Sequence, residues 1–339
     1  MLPKIASNGS AYKARVCAQQ KGVMKMKNFL GIFSIVAMVF ILVACGGSED
    51  ASNDTNNAGS GVDDATGSEI VVGVSLSTLT NPFFLDVEDG IREVARENNV
   101  TVHIVGANDD AAVQSADIDD LLQLNLDLIL INPVDADAIV TTIEYINNTH
   151  NIPVVTLDRS SEGGDIVSHV ASNNVLGGVQ AAEFIVANVG DGAIVVELEG
   201  QPGASAARER GEGFNSIADN SLNVVARQTA NWSRAEGLSV LESILQTHPE
   251  IDAVFAHNDE MALGAVEALR ALGMLDEVLV VGFDGIDDAV AAVQSGEMAA
   301  TVAQQPVLMG RMALETAIAY LAGNQTEYSV DTPLQLIVD

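Results

Sequence analysis

From Ile70 onward the chain alternates short apolar runs with longer segments whose apolar residues recur at helical spacing. The runs are Ile70–Ser77, Val102–Gly106, Leu128–Asn132, Val154–Leu157, Val167–Ala171, Ala193–Leu198, Val224–Gln228, Ala253–Ala256, Leu279–Phe283 and Ala299–Ala303. Hydrophobicity that is continuous along a run, without alternation, marks strands covered on both faces. Between them Phe84–Glu97, Ala136–Asn148, Leu176–Asn188, Arg234–Gln246 and Glu260–Leu272 read as amphipathic helices, and Pro306–Ala322 as a last one. Strict alternation of the two element types predicts an α/β protein with parallel sheets and helices on both faces. Ten strands are too many for one small doubly wound sheet, so two lobes joined by a multi-strand hinge are expected. The first crossing should lie at Ala171–Asn174, where a strand runs into polar Ser172 and Asn173. A second is expected near Gln304 and Gln305, and a third near Thr332 and Pro333. The expected lobes are 69–172 with 305–333, and 173–304 with 334–339, able to close on a ligand.

Ahead of this pattern the chain reads differently. Lys25 and Lys27 precede an apolar run, Phe29–Val43, too short and too one-sidedly flanked for a membrane span. It ends Leu42-Val43-Ala44-Cys45, followed by Gly46 and Gly47, which resembles the lipobox of bacterial lipoproteins. That resemblance implies cleavage before Cys45 and lipidation of its thiol. A plain secretory signal with an incidental cysteine is the competing reading. Residues 1–44 are then leader, with Met24 or Met26 the expected start and 1–23 an over-extension. Residues 45–68, rich in Gly, Ser, Asn and Asp, are expected to form a disordered tether. The only other cysteine, Cys17, lies in the leader, so the exported part has no pair for a disulfide.

Charge narrows the partners. Six basic residues and no acidic ones precede Cys45; after it stand nine arginines and no lysine against all 47 acids. Such a surface repels nucleic acid and anionic lipid. Contact with a membrane is therefore expected only through the anchor. The acidity suggests adaptation to salty or alkaline surroundings, and a monomer is expected.

Candidate chemistry collects where strands end. Ile152–Leu157 stops abruptly at Asp158 and Arg159, an acceptor-only carboxylate beside a donor-only guanidinium. Alone, this pair could be a surface ion pair. Five more loops repeat the layout: Asn81, Phe83 and Phe84 after the first strand, Arg208 and Arg210 after the sixth, Trp232 after the seventh, Asn258 after the eighth, and Phe283 with Asp284 after the ninth. Gln304 ends the tenth. Aromatic residues are only 4% of the chain, and Trp232 is its single tryptophan, so four aromatics at strand ends are a concentration. In open α/β sheets ligands sit beyond the carboxyl ends of strands. Planar bidentate groups suit adjacent hydroxyls, and aromatic faces suit apolar ring faces, so the combination points to a sugar.

These residues carry a resemblance. Ser77–Phe84, Ile131–Ala138, Ile152–Arg159, Ser168–Gly178, Ser205–Phe214, His248–Ala265, Val280–Gly285 and Ala299–Pro306 together resemble the ribose-binding proteins of bacterial ABC transport systems. Those are periplasmic sugar-binding proteins, which share their fold with the sensor domains of LacI-type repressors. The resemblance implies the periplasmic binding protein fold. It also implies hydrogen bonds to sugar from Asn81, Asp158, Arg159, Arg210, Asn258, Asp284 and Gln304, with Phe83, Phe84 and Phe283 packing on the ring. The family usually has Phe where this chain has Trp232, which keeps an aromatic face and enlarges it. Arg208 has no pocket counterpart and, two residues from Arg210 on a helix, should face elsewhere. The implied partners are a monosaccharide, most specifically D-ribose, and an ABC permease with its ATPase. A receptor for a sugar or furanosyl signal, serving a chemoreceptor or quorum sensing, is the alternative.

Other classes lack their motifs. The sequence has no GxxxxGK[ST] loop, no HExxH and no Cys/His cluster, and its five histidines are scattered. No nucleophile stands beside the Asp–Arg pair, so no enzyme, cofactor or metal is expected. A repressor would need a helix-turn-helix and a basic surface where this chain has a lipobox and an acidic tether.

Overall fold

Two sheets of six strands share one winding order. A computed structural model describes residues 70–339, which fall in one compact unit. The first sheet runs β2 (Thr101–Gly106), β1 (Val71–Leu76), β3 (Leu128–Ile131), β4 (Val154–Leu157), β5 (Ile166–Ser172) and β11 (Ser329–Thr332). The second runs β7 (Asn223–Thr229), β6 (Ile194–Glu199), β8 (Ala253–Ala256), β9 (Leu279–Asp284), β10 (Ala300–Ala303) and β12 (Gln335–Val338). All pairs are parallel except β10 with β12. Every residue of β3, β4, β8 and β10 is buried, as continuous apolar runs require. The chain changes sheet between β5 and β6, between β10 and β11, and between β11 and β12. The short strands β11 and β12 are part-exposed additions at the sheet edges. In each sheet the strand order reverses about the first-formed strand, β1 or β6, which is where such sheets bind ligands.

Helices cover both faces: α1 (Pro82–Asn98), α2 (Ala111–Leu121), α3 (Ile139–Tyr145), α4 (Asn174–Val189), α5 (Ser205–Ser221), α6 (Arg234–Thr247), α7 (Asp259–Leu272), α8 (Asp287–Gln294) and α9 (Pro306–Leu321). The segment expected as one helix from Ala136 begins instead at Ile139 and closes in a π-helical turn, Ile146–His150. Three helix pairs meet through reciprocal glycines. A Cβ on Gly178 of α4 would stand 2.2 Å from the Arg210 carbonyl oxygen, and one on Gly213 of α5 2.0 Å from that of Val175. Gly90 with Gly310 seats α1 on α9, and Gly237 with Gly264 seats α6 on α7, in the same way. The α4–α5 crossing matters for function because it fixes the turn of α5 that carries Arg210. None of the helices among the described residues is long and apolar enough to cross a membrane. The leader, Cys45 and the tether lie outside the described residues.

Candidate functional site

The carboxyl ends of the two sheets face each other across a cleft whose empty space, open solvent at its mouth included, is about 260 Å³. Its walls are Asn81, Phe83, Phe84, Asp158 and Arg159 from the first sheet's side, and Ala206, Arg210, Trp232, Asn258 and Asp284 from the second's. Two residues expected at the site stand directly behind these walls. Phe283 lies under the Arg210 guanidinium, 3.8 Å from ring centre to Cζ, and Gln304 Nε2 donates to Asp284 Oδ1 at 2.9 Å. Arg208 is absent from the walls.

Local structure sets each side chain. Asn81 caps α1, its Oδ1 accepting from Phe83 N at 3.0 Å with Pro82 at the first helical position. Asn258 caps α7, accepting from Met261 N at 2.9 Å, while its Nδ2 donates to the Trp232 carbonyl at 3.3 Å. Both caps occupy the oxygen and leave an amide nitrogen for other work. Asp158 sits at φ 59° in the centre of a three-residue turn, which Arg159 N closes on Leu157 O at 2.6 Å. Trp232 at φ 62° and Asp284 at φ 122° are likewise left-handed. Non-glycine residues rarely adopt this backbone, and it gathers at ligand sites where the surroundings enforce it.

The charged groups are held unequally. Arg210 donates Nε to Asn174 Oδ1 at 2.9 Å, and Nη1 to His257 O at 2.6 Å and Asp284 Oδ1 at 3.3 Å. Arg159 reaches the Pro133 carbonyl only at 3.5 Å and the carboxylates of Asp158 and Asp109 only at 3.8 Å. Its guanidinium instead lies over the rings of Phe84 and Trp232, at 5.6 and 5.4 Å. Burial pulls the Arg159 pKa down, opposed by the Asp158 and Asp109 carboxylates. Burial also pushes Asp284 up to about 6, against the pull of Arg210 and Gln304. Asp259, beneath it, is pushed well up by burial and by the charge of Asp284; it accepts from Gly285 N, Ile286 N and Thr301 Oγ1 and so shapes the Asp284 turn.

Several supporting residues escaped the sequence reading. Asn132 is wholly buried: its Nδ2 donates to Leu157 O at 3.0 Å and Asp158 Oδ2 at 3.1 Å, and its Oδ1 accepts from Ser77 N. It thereby ties β1, β3 and β4 together and leaves Asp158 Oδ1 without a partner among the described residues. Gln114 braces Asn132 in turn through its carbonyl, at 2.9 Å. His257 accepts at Nδ1 from Gly200 N, so its Nε2 carries the proton given to Glu197 at 2.9 Å, a structural role. The strand-end rule that selected Asp158 would also have selected Asn132, which directly follows β3. Ala206 and Gly200 offered no signal, because neither carries a polar group.

The mouth of the cavity is bridged by polar contacts between the two sides. Ser160 N donates to Ser205 Oγ at 2.8 Å, Ala136 N to Gly203 O at 3.0 Å, and Gln201 Nε2 to Asp109 O at 3.1 Å. Arg208, outside the cavity as expected, pairs across the mouth with Glu162. All four contacts come from the segment 201–208, and together they describe a closed arrangement.

Comparison with known proteins agrees with this architecture. The periplasmic binding protein domain model matches residues 72–325. A ribose import binding protein of Bacillus subtilis is 45% identical over 311 residues, 92% of this chain and 99% of that protein. Its counterpart in Escherichia coli is 43% identical over 79% of this chain and 90% of its own. A Caulobacter myo-inositol binding protein, solved with myo-inositol bound, superposes with a TM-score of 0.76 at 32% identity, covering 80% of this chain and 94% of that one. The fold, its two-sided cavity and these matches place the chain in the periplasmic binding protein domain family.

Proposed function

We propose that this protein is an extracytoplasmic receptor that captures a monosaccharide, D-ribose, by closing two lobes on it, and hands the closed complex to an ABC permease. The observation that carries the reading is the cavity wall: two carboxylates, two guanidiniums, two amides and three aromatic rings, drawn from both sheets, converge on one shared cleft. Carboxylates accept from hydroxyls, guanidiniums and amides donate to them, and ring faces cover the sugar's C–H surface. A ligand held from both sides stabilises the closed arrangement over an open one by its differential contacts. The lobes are 69–172 with 305–333 and 173–304 with 334–339, hinged at the three crossings. Within this reading Asn81, Asp158, Arg159, Arg210, Asn258, Asp284 and Gln304 hold the hydroxyls, and Phe83, Phe84, Trp232 and Phe283 frame the ring. Titration calorimetry across a panel of pentoses and hexoses tests it. D-ribose should bind most tightly, and no binding of any sugar in the panel would overturn it.

The receptor is anchored through a lipid on Cys45, which the Leu42–Cys45 motif supports. Cys45→Ser should move the protein from the membrane fraction to the soluble one. Wild-type protein without lipid by mass spectrometry would refute the anchor and leave the sugar reading untouched.

A further inference from the structure

The indole of Trp232 lines the cavity and is 8% exposed, yet its Nε1–H finds no acceptor among the described residues. Buried indole N–H groups usually have a partner, because leaving a donor unpaired away from water is costly. The position is also enforced. Trp232 follows Asn231 into the left-handed region, φ 62° after φ 48°, which a bulky residue rarely enters. Asn258, itself a cavity residue, holds its carbonyl. Gly200 lies against the benzo edge so closely that a Cβ there would stand 2.1 Å from Cη2. The fold thus gives up a side chain at 200 and accepts a disfavoured backbone at 232 to place this ring. A flat apolar face alone would not need the N–H.

Two acceptors share its condition: Asp158 Oδ1 in the same walls and Gln304 Oε1 behind them are also buried without partners among the described residues. The unmet groups in and directly behind the walls thus include two acceptors and, beside the charged Arg159, one neutral donor. We infer that the Trp232 indole N–H is a specificity-determining donor that reads the position of one sugar hydroxyl as acceptor. This inference rests on the monosaccharide reading above. A hydroxyl that accepts from the indole keeps its own hydrogen for a carboxylate, and only a polyol offers such dual groups at every corner.

Trp232→Phe keeps a ring face and removes the donor. By calorimetry it should bind ribose roughly three- to tenfold more weakly than wild type, the worth of one neutral hydrogen bond. The loss should vanish for the one monodeoxy analogue that lacks the hydroxyl being read, and persist for the others. Because the chain has a single tryptophan, its one indole N–H resonance in a proton–nitrogen NMR spectrum is unambiguous. Saturating ribose should move it downfield and slow its exchange with solvent. Equal affinity of Trp232→Phe and wild type, an equal loss for every monodeoxy analogue, or a resonance that stays at its ligand-free position would each overturn the inference while leaving the receptor reading intact. Wild-type protein that binds no sugar would overturn both.

Discussion

The two sides of the cavity each present a carboxylate and a guanidinium, but they are built to opposite rules. On the second sheet's side Arg210, Asp284, Gln304, Asn174 and the His257 carbonyl are joined by four hydrogen bonds within that side, with Gln304 Oε1 left without a partner among the described residues. On the first sheet's side, within the charged pair and among the described residues, only Asp158 Oδ2 is tied, by Asn132, while Arg159 has no hydrogen bond shorter than 3.5 Å. A guanidinium with five donors and so few acceptors is a group built to be completed from outside. One side's charged pair is thus held mainly by its own fold, and the other's is left largely open to the cavity.

The largest effect should come from the incomplete side. On the proposed reading, Asp158→Ala removes an acceptor from the sugar and leaves Arg159 an uncompensated charge in a closed cleft. That loss is worth about 2–5 kcal/mol, roughly thirtyfold to several-thousandfold in affinity. The melting temperature without sugar should change far less, since an opened cleft lets water reach Arg159. Equal ribose affinity in calorimetry, or a variant that fails to fold, would make the pair structural. Next come the two arginines exchanged for lysine. An ammonium cannot reproduce the planar fork, so each variant should bind roughly tenfold or more weakly. They should differ in the sugar-free protein: Arg210→Lys should lower the melting temperature by several degrees because three internal hydrogen bonds are disturbed, and Arg159→Lys should leave it nearly unchanged. Equal melting temperatures would break the contrast.

A smaller effect should appear on acidification. Burial raises Asp284 from 3.8 to about 6. The folded protein therefore keeps this proton in a range where the unfolded chain has lost it. Ionising the group costs stability, a cost absent below about pH 4 and complete above about 6, so its contribution to stability falls as pH rises through that window. Sugar affinity runs the other way, because a hydroxyl donor needs the carboxylate. Affinity should be flat above about pH 6 and weaken below it, by at most about tenfold per pH unit. Asp284→Asn should flatten the profile, and calorimetry between pH 4.5 and 8 reads it. The smallest effect belongs to the rim. Arg208 and Glu162 are about half exposed, and such pairs contribute roughly 0.2–1 kcal/mol. Arg208→Ala should weaken sugar binding by no more than about fivefold, through faster release that grows less distinct from wild type as salt is added. A larger loss in stopped-flow release would move Arg208 from the rim into the site.

Hydrophobic pattern alone set the alternation of elements and ten of the twelve strands among the described residues: the inner strands because burial on both faces demands an apolar run, the edge strands β2 and β7 because they keep their place in the alternation with helices. It also located the residues that end those strands, nine of which meet at one cavity. That was legible because a parallel α/β winding delivers every strand end to the same edge. Strands β11 and β12 were not legible: part-exposed edge strands need no apolar run, and Ser329–Thr332 has a single apolar residue. Nor was the division of labour at the site. Asn132 and Asp158 lie 26 residues apart, and Arg210 and Asp284 74 apart. Arg159 and Arg210 look alike in the sequence, and only the packing around each decided that one is satisfied by its own fold and the other is not. Hydrophobic period is a local property of the chain, whereas a hydrogen bond between distant side chains exists only once the sheets have brought their ends together.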